Sequence, residues 1–247
     1  MTKGIWFFVA IIATFALTAG FALAAEPFGA NYTGEISTTA DADDPEYHPA
    51  IAGNITFLDI FGYTTTSVWQ GYYGNVSGTI MLANSNDKVL YNWSLASPEG
   101  EVYATMNGTG QVTWSNITCY NFTGNYSEGG PRLTKLETLF NLSTDDAEGV
   151  NETFSDGTSH DLFYTAGTSF GTGVCPAASL KNATGAAVFQ EVLLTDATDD
   201  VQVIFTALLE DNKVGFDGSM YDFEMLVLEN GRTNTATTNY YFYVELQ

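Results

Sequence analysis

Between Asn54 and the carboxyl terminus the dominant pattern is an alternation of apolar and polar side chains with period two, and ten short runs are candidate strands. In a β-strand successive side chains point to opposite faces, so this alternation predicts strands. Clusters of Gly, Asn, Asp and Ser separate the runs and are typical of turns. The short spacing, without a long helical pattern, predicts an all-β fold, either an antiparallel β-sandwich or a jelly roll. The predicted strands are 54–60, 67–73, 75–82, 88–95, 100–106, 111–117, 186–194, 200–210, 221–229 and 238–246.

The alternation also assigns a face to each side chain. Asn92 is predicted to point to solvent, and Tyr91, Trp93 and Leu95 are predicted to point inward. The Asn and the hydroxyl residue of an Asn-X-Ser/Thr motif share one face of a strand, so such motifs indicate the face that meets water. The run 201–209 is largely apolar on both faces, which predicts a strand covered on both sides.

Two segments depart from the period of a strand. Within 131–142, Leu133, Leu136 and Phe140 recur at helical spacing, which predicts one short surface helix. Residues 26–53 mix Gly, Thr, Asp and Pro with few large apolar groups. This composition predicts an extended leader or arm.

The amino terminus supports export. Lys3 precedes an uncharged apolar stretch from Ile5 to Ala25, which predicts an N-terminal apolar helix. One interpretation is a signal peptide cleaved after Ala24 or Ala25. A second is an uncleaved membrane anchor, because the stretch is long enough to span a bilayer. A third is a signal that resembles those of archaeal type IV pilins, cut before Ile5. The predicted units are 1–25, the leader 26–53 and a single β-sandwich domain 54–247.

Eleven Asn-X-Ser/Thr sequons occupy the first three-quarters of the chain, and none follows Asn182. Chance predicts about three, so the surplus indicates an exported chain that carries N-linked glycan. The sequon-free tail has two compatible interpretations: its strands form the sheet interior, or its surface is kept bare to dock a neighbour. The acceptor residues are Asn31, Asn54, Asn75, Asn92, Asn107, Asn116, Asn121, Asn125, Asn141, Asn151 and Asn182.

The chain is strongly acidic, with a formal net charge of −22 at pH 7. Such a surface repels phosphate groups, so it excludes nucleic acid and anionic lipid as partners. It suits divalent cations and positively charged envelope partners, and it keeps an exported protein soluble. We expect self-association or contact with other envelope proteins, and membrane contact only through the N-terminal apolar segment.

Cys119 and Cys175 are the only cysteines, and in an exported chain such a pair predicts a disulfide. Ser159, His160 and Asp161 are adjacent in sequence, so their side chains point in different directions and cannot form a catalytic triad. The sequence contains no GxSxG, P-loop or HExxH motif. We therefore predict that the protein is not an enzyme.

Clustered carboxylates are the best candidates for a ligand site. Calcium takes six to eight oxygen ligands from such loops, although none of the clusters has EF-hand spacing. No cofactor is predicted other than structural calcium, and the alternative is a set of solvated acidic loops. The clusters are Asp41, Asp43, Asp44 and Glu46; Asp145, Asp146 and Glu148; and Asp196, Asp199 and Asp200.

Aromatic residues are plentiful on the predicted strands. Trp69, Tyr72, Tyr73, Trp93 and Trp114 are compatible with a platform that binds carbohydrate. Core packing accounts for most of them equally well, and Trp93 is predicted to point inward.

Three stretches, 69–78, 91–104 and 239–246, resemble a group of uncharacterised archaeal secreted proteins that are rich in sequons and acidic residues. The resemblance extends over most of the chain after residue 53 and implies a location at the archaeal cell surface. More loosely, an exported β-sandwich with an extended leader is similar to archaeal bundling pili and bacterial biofilm-fibre proteins. That likeness is one of architecture alone and implies polymerisation by strand exchange.

These observations predict a heavily N-glycosylated, extracellular surface protein with a structural or adhesive role, assembling by β-strand addition through its leader or an open edge strand. The alternative is a secreted β-sandwich module that binds calcium or carbohydrate.

Overall fold

Antiparallel strand pairing dominates the computed structural model, which describes residues 26–41, 44–95, 97–125, 129–143, 145–154, 159–230 and 237–247. The predicted all-β, antiparallel class is confirmed. The apolar helix predicted within residues 1–25, with its cleavage sites, lies outside the described residues. Across the described ranges, no helix is both long enough and apolar enough to cross a membrane.

The secondary structure of the described residues consists mainly of short strands. Two α-helices, α1 (Arg132–Leu139) and α2 (Val150–Phe154), and a 3₁₀ turn (Trp114–Asn116) accompany them. The strands are β1 (Phe28–Gly29), β2 (Trp69–Gly74), β3 (Thr79–Ala83), β4 (Val89–Ser94), β5 (Gly100–Thr105), β6 (Ile117–Cys119), β7 (Phe163–Thr165), β8 (Thr168–Phe170), β9 (Ala177–Lys181), β10 (Ala187–Asp196), β11 (Asp199–Leu208), β12 (Lys213–Val214), β13 (Met220–Tyr221), β14 (Phe223–Leu228) and β15 (Tyr241–Leu246).

A seven-stranded antiparallel sheet forms the centre of the fold, in the order β1-β15-β5-β11-β10-β6, with β9 also paired to β10. Strands predicted at 186–194, 200–210 and 238–246 are confirmed here as β10, β11 and β15. The β10–β11 turn is closed by Asp196, whose Oδ1 accepts hydrogen bonds from Thr198 N at 2.9 Å and Thr198 Oγ1 at 2.7 Å. Asp favours this position because its side chain can bond the backbone two residues ahead.

Both faces of the central sheet are buried, as the two-sided apolar pattern of 201–209 predicted. Alternation sends Leu194 and Ile204 into one core and Leu193 and Phe205 into the other. The first core is covered by the 3₁₀ turn and the β7–β8 hairpin. The second is covered by α1, α2 and a separate two-stranded sheet of β2 and β14.

The surface helix predicted at 131–142 is confirmed as α1, but the prediction of a single short helix is wrong, because α2 is a second one. Pro131 stands directly before the first turn of α1, where the missing proline N–H breaks no helical hydrogen bond. Leu136 and Phe140 are buried against the second core, and Leu133 packs beside them. The chain leaves the helix through Asn141, which adopts a left-handed φ of 56° that Asn tolerates better than most residues.

Two predicted strands are wrong. Segment 54–60 contains no strand, and Phe57 and Ile60 are 84% and 86% exposed. Alternation supplies the faces of a strand, but pairing also needs a partner, and no described strand pairs with this segment. Segment 111–117 consists of a bend and the 3₁₀ turn, with only Ile117 in a strand, and Asp196 Oδ2 holds the turn by accepting a hydrogen bond from Thr113 N at 2.6 Å.

In the β3–β4 hairpin the side chains alternate between two faces as predicted, but the face that was predicted to be buried is exposed. Ile80 pairs with Trp93 and Leu82 pairs with Tyr91, so these four share one face and Asn92 lies on the other. The prediction that Tyr91, Trp93 and Leu95 point into a core is wrong: Tyr91 and Trp93 are 59% and 49% exposed, and Leu95 is half-buried. The reason is that no other described strand or helix packs closely on the hairpin, so its apolar face stays uncovered.

Candidate functional site

One edge of the central sheet is the terminal strand β15, and the leader covers it with only two residues. Phe28 pairs with Val244 and Gly29 with Tyr243 in an antiparallel register. Ala30 N extends the pairing by donating to Phe242 O at 2.8 Å. The Phe28 side chain is 69% exposed, whereas Pro27 directly before it is buried, so main-chain hydrogen bonds and one buried proline ring hold the leader at this edge.

The opposite edge, along β10, is built differently. It is shared by two short strands, the three-residue β6 and the five-residue β9. The exposed sequon residues Asn116, Asn121 and Asn125 lie directly before and after β6, and the half-buried Asn182 follows β9. Short strands and bulky polar groups are devices that prevent unwanted pairing at a sheet edge. Four of the eleven predicted glycan acceptors therefore lie at this edge.

Most sequon asparagines lie on the surface, as expected for glycan acceptors. Asn107, Asn151 and Asn182 are half-buried, and the Nδ2 atom of Asn107 is buried without a hydrogen-bond partner. The exposed acceptors are Asn31, Asn54, Asn75, Asn92, Asn116, Asn121, Asn125 and Asn141.

Two of the sequons close tight turns. Asn121 Oδ1 accepts hydrogen bonds from Thr123 N and Thr123 Oγ1, both at 3.0 Å. Asn182 Oδ1 accepts from Thr184 N at 3.0 Å and Thr184 Oγ1 at 2.7 Å. These bonds occupy the amide oxygen and fix the direction of Nδ2, the atom to which a glycan is attached.

The predicted disulfide is confirmed. Cys119 and Cys175 are bonded across a sequence separation of 56, with their Cα atoms 4.9 Å apart. Cys119 ends β6 and Cys175 lies two residues before β9, so the bridge joins the two short strands that share the β10 edge.

His160, beside this disulfide, has both ring nitrogens bonded to the backbone. Its Nε2 accepts a hydrogen bond from Cys175 N at 2.9 Å, and its Nδ1 lies 2.7 Å from Asp161 O. The Asp161 carboxylate instead accepts from Gln190 Nε2 at 3.0 Å. The structure therefore does not bring Ser159, His160 and Asp161 together as a catalytic unit.

The three acidic clusters are separate loops. Burial acts to raise the pKa of Asp196, but hydrogen bonds from Thr198 and Thr113 outweigh it and lower the pKa. Asp146 Oδ2 accepts from Ser143 N at 2.8 Å, and Glu148 accepts from Thr66. Asp43 lies outside the described residues. Within the described part of the chain, no three His, Cys, Asp or Glu side chains are arranged to hold a metal ion.

Most of the aromatic residues considered for sugar binding belong to the cores. Trp69 packs against Phe205 and donates through Nε1 to Glu148 O at 2.8 Å. Tyr72 packs edge-on against Phe242, with ring centres 5.1 Å apart. Trp114 is 6% exposed and fills the first core.

Tyr73 differs from these residues, because it lies on the outer face of the β2–β14 sheet. It is 41% exposed and contacts Phe216 and Tyr221, each with ring centres 4.8 Å apart.

A buried carboxyl pair is the main site that sequence reasoning missed. Glu101 on β5 and Glu245 on β15 are direct cross-strand partners and are 3% and 8% exposed. Tyr164 N donates to Glu101 at 3.2 Å, and Ala166 N donates to Glu245 at 2.9 Å, so the β7–β8 hairpin closes over the pair. Alternation places Glu245 on the face of Tyr241 and Tyr243, but it does not reveal that this face is buried.

Burial raises the pKa of Glu101 to about 8, and the negative charge of Glu245 adds to the rise. Hydrogen bonds from Tyr164, Gln247 and Tyr103 act in the opposite direction. Burial also raises the pKa of Glu245. The Tyr103 hydroxyl lies 3.1 Å from Glu245 Oε2, within hydrogen-bonding distance. At neutral pH the pair therefore retains a proton, which makes folding sensitive to pH.

A third buried carboxyl joins the two sheets. Glu191 on β10 is fully buried, and its Oε2 accepts a hydrogen bond from Leu226 N on β14 at 2.8 Å. Burial raises its pKa well above the ordinary value. The hydrogen bond from Leu226 N to Glu191 thus joins the backbone of the β2–β14 layer to the central sheet.

Comparison of the chain with protein-family models, with curated proteins and with solved structures found no match to any of them.

Proposed function

We propose that this chain is an exported, N-glycosylated protein of the archaeal cell surface with a structural or adhesive role, and that its copies assemble by β-strand addition. In this mechanism Phe28–Gly29 leaves its own β15 and pairs with β15 of a neighbouring copy. The observation that carries the proposal is the pairing of a two-residue leader strand with the edge of a six-residue terminal strand.

The leader is weakly held, which favours exchange. Each main-chain hydrogen bond contributes about 1 kcal/mol, and the side chains add little, because Phe28 is exposed and only the small Pro27 ring is buried. Release therefore costs only a few kcal/mol, well below the 5–15 kcal/mol of a typical domain. The same bonds form again in a neighbour, so exchange is close to neutral in energy and depends on protein concentration.

The two sheet edges support a single direction of growth. Four sequons flank the β10 edge, and glycans there would block pairing of β6 or β9 with another chain. The β15 edge has the leader strand in front of it, and the sequon Asn31 next to that strand belongs to the leader itself and would move with it. A neighbour's leader would therefore add at β15 and not at the β10 edge.

A two-layer β-sandwich is the fold class that we propose for the subunit. Its support is the packing of the β2–β14 sheet on the central sheet, with Met225 and Val227 on β14 buried against Phe205 and Leu193. In such a sandwich the strand added at β15 extends one layer without disturbing the core.

A cysteine pair tests strand addition. Phe28 and Val244 are direct cross-strand partners, a spacing that suits a disulfide. With Phe28→Cys and Val244→Cys combined, oxidation of concentrated protein should give a ladder of covalent multimers, with filaments visible by electron microscopy.

The single variants serve as controls, because each of them can form dimers at most. A double variant that forms only an intramolecular bond at every concentration, with monomeric particles in the microscope, would refute assembly through this edge.

A further inference from the structure

Three aromatic side chains form an exposed cluster on the outer face of the β2–β14 sheet, and we call Tyr73, Phe216 and Tyr221 the aromatic patch. Tyr73 contacts both other rings, and the planes of Phe216 and Tyr221 are nearly parallel, 16° apart, with ring centres 6.4 Å apart. Tyr73 and Phe216 remain 41% and 50% exposed. The Tyr221 hydroxyl donates to Asp217 Oδ2 at 2.9 Å, so the patch has a polar rim.

A sequon is fixed at the margin of this patch. Exposure alternates along the chain from Tyr73 to Asn75, so both side chains face outward. Two residues of extended backbone span roughly 7 Å. The flanking backbone is clamped by Asp222, which follows Tyr221: Asp222 N donates to Gly74 O at 2.9 Å, and Val76 N donates to Asp222 Oδ2 at 2.8 Å.

We propose that the N-glycan on Asn75 folds back and stacks on the aromatic patch. The C–H face of a sugar ring buries apolar surface against an aromatic face, and the Asp217 carboxylate at the rim can accept a hydrogen bond from a sugar hydroxyl. This inference rests on the proposed glycosylation and names the surface that one glycan covers.

Tethering explains why the chain's own glycan occupies the patch. A ligand attached roughly 7 Å away has an effective concentration in the millimolar range, so it outcompetes free sugar and other proteins. The glycan also covers apolar rings that would otherwise promote aggregation of an exported protein.

A second sequon approaches the patch from the other side. Ala183 N donates to Gly215 O at 2.9 Å, which ties the turn after Asn182 to the loop that carries Phe216. Asn182 is thus the rival anchor for a covering glycan. The experiment must separate it from Asn75.

The test combines glycopeptide mapping of the native protein with a double-mutant cycle. Asn75→Asp removes the acceptor nitrogen with little change in shape, and Tyr73→Thr removes the ring but keeps a residue that favours strands. If the glycan stacks on Tyr73, Asn75→Asp should lower the melting temperature by a few degrees in the wild-type background and leave it unchanged in the Tyr73→Thr background.

Asn121→Asp is the matched control, because it removes a sequon at the β10 edge of the central sheet. Its effect on the melting temperature should be the same with Tyr73 or Thr at position 73. As a second measurement, Tyr73 in folded protein should be nitrated several-fold faster in Asn75→Asp than in wild type, and at the wild-type rate in Asn121→Asp.

If the effects of Asn75→Asp and Tyr73→Thr on the melting temperature are additive, the inference is overturned. It is also overturned if the effect of Asn182→Asp, and not that of Asn75→Asp, depends on Tyr73. A bare Asn75 in a chain glycosylated elsewhere would overturn it while leaving the proposed function intact. A chain without glycan at any sequon would overturn both.

Discussion

Replacing Glu101 by Gln should stabilise the protein at neutral and alkaline pH. The Glu101 side chain is 3% exposed and faces Glu245 across the β5–β15 pair. The amide of Glu101→Gln has nearly the same shape as the carboxyl. Its oxygen can keep the hydrogen bond from Tyr164 N, and its NH2 group can donate to Glu245.

The magnitude follows from the shift of the Glu101 pKa from 4.5 to about 8. Between these values the unfolded chain is ionised while the folded protein keeps its proton, so stability is fully present below pH 4.5 and falls as the pH rises toward 8. Each pH unit costs about 1.4 kcal/mol, which amounts to about 3 kcal/mol at pH 7 and about 5 kcal/mol above pH 8. Glu101→Gln removes this cost.

Urea unfolding at one-unit steps from pH 5 to pH 9 measures the effect. Wild type and Glu101→Gln should differ by about 1 kcal/mol at pH 5 and by several kcal/mol at pH 9, with the variant more stable. Glu99→Gln makes the same chemical change at an exposed position two residues away and should follow the wild-type profile. If wild-type stability is constant from pH 5 to 8, or Glu101→Gln destabilises equally at every pH, the assignment of a buried proton to this pair is wrong.

Three further predictions concern the disulfide, the second core and Asp222, and each is tested by denaturant unfolding at pH 6. Changing Cys119 and Cys175 together to Ala opens a loop with a sequence separation of 56 and should lower the free energy of unfolding by about 4 kcal/mol, a loss that a reductant should reproduce in wild type. Phe205→Ala, in the second core, should cost about 3–5 kcal/mol, whereas Leu90→Ala, at 80% exposure, should stay within about 0.5 kcal/mol. Asp222→Ala leaves two backbone amides without an acceptor and should cost about 1–3 kcal/mol, part of which Asp222→Asn should restore.

The strands of the sequon-free tail were the most predictable part of the fold. Segment 200–210 is apolar on both faces, and β11 lies inside the central sheet with both faces covered. That placement agrees with one interpretation of the missing sequons, because a strand in the sheet interior has no room for a glycan. The local pattern sufficed here, because a strand that is buried on both sides is a nearly continuous run of apolar residues.

Strand pairing was less predictable, because a strand depends on residues far away in sequence. Segment 54–60 has the composition of a strand but no described partner, whereas β9, with its two alanines and a serine, is a weak strand former that pairs with β10. Likewise β3 and β4 were placed correctly, but nothing local indicated that their apolar face stays uncovered.

The carboxyl pair shows what sequence reasoning could have found. Glu101 and Glu245 lie far apart in sequence, so their contact could not be read from spacing. However, 201–209 was already predicted to be covered on both sides, and its neighbours in the same sheet share those coverings. A Glu that faces either covering is then expected to be buried, and burial alone raises its pKa. A two-sided apolar strand next to acidic strands therefore predicts buried protons, and with them a protein that becomes less stable as the pH rises from 5 to 8.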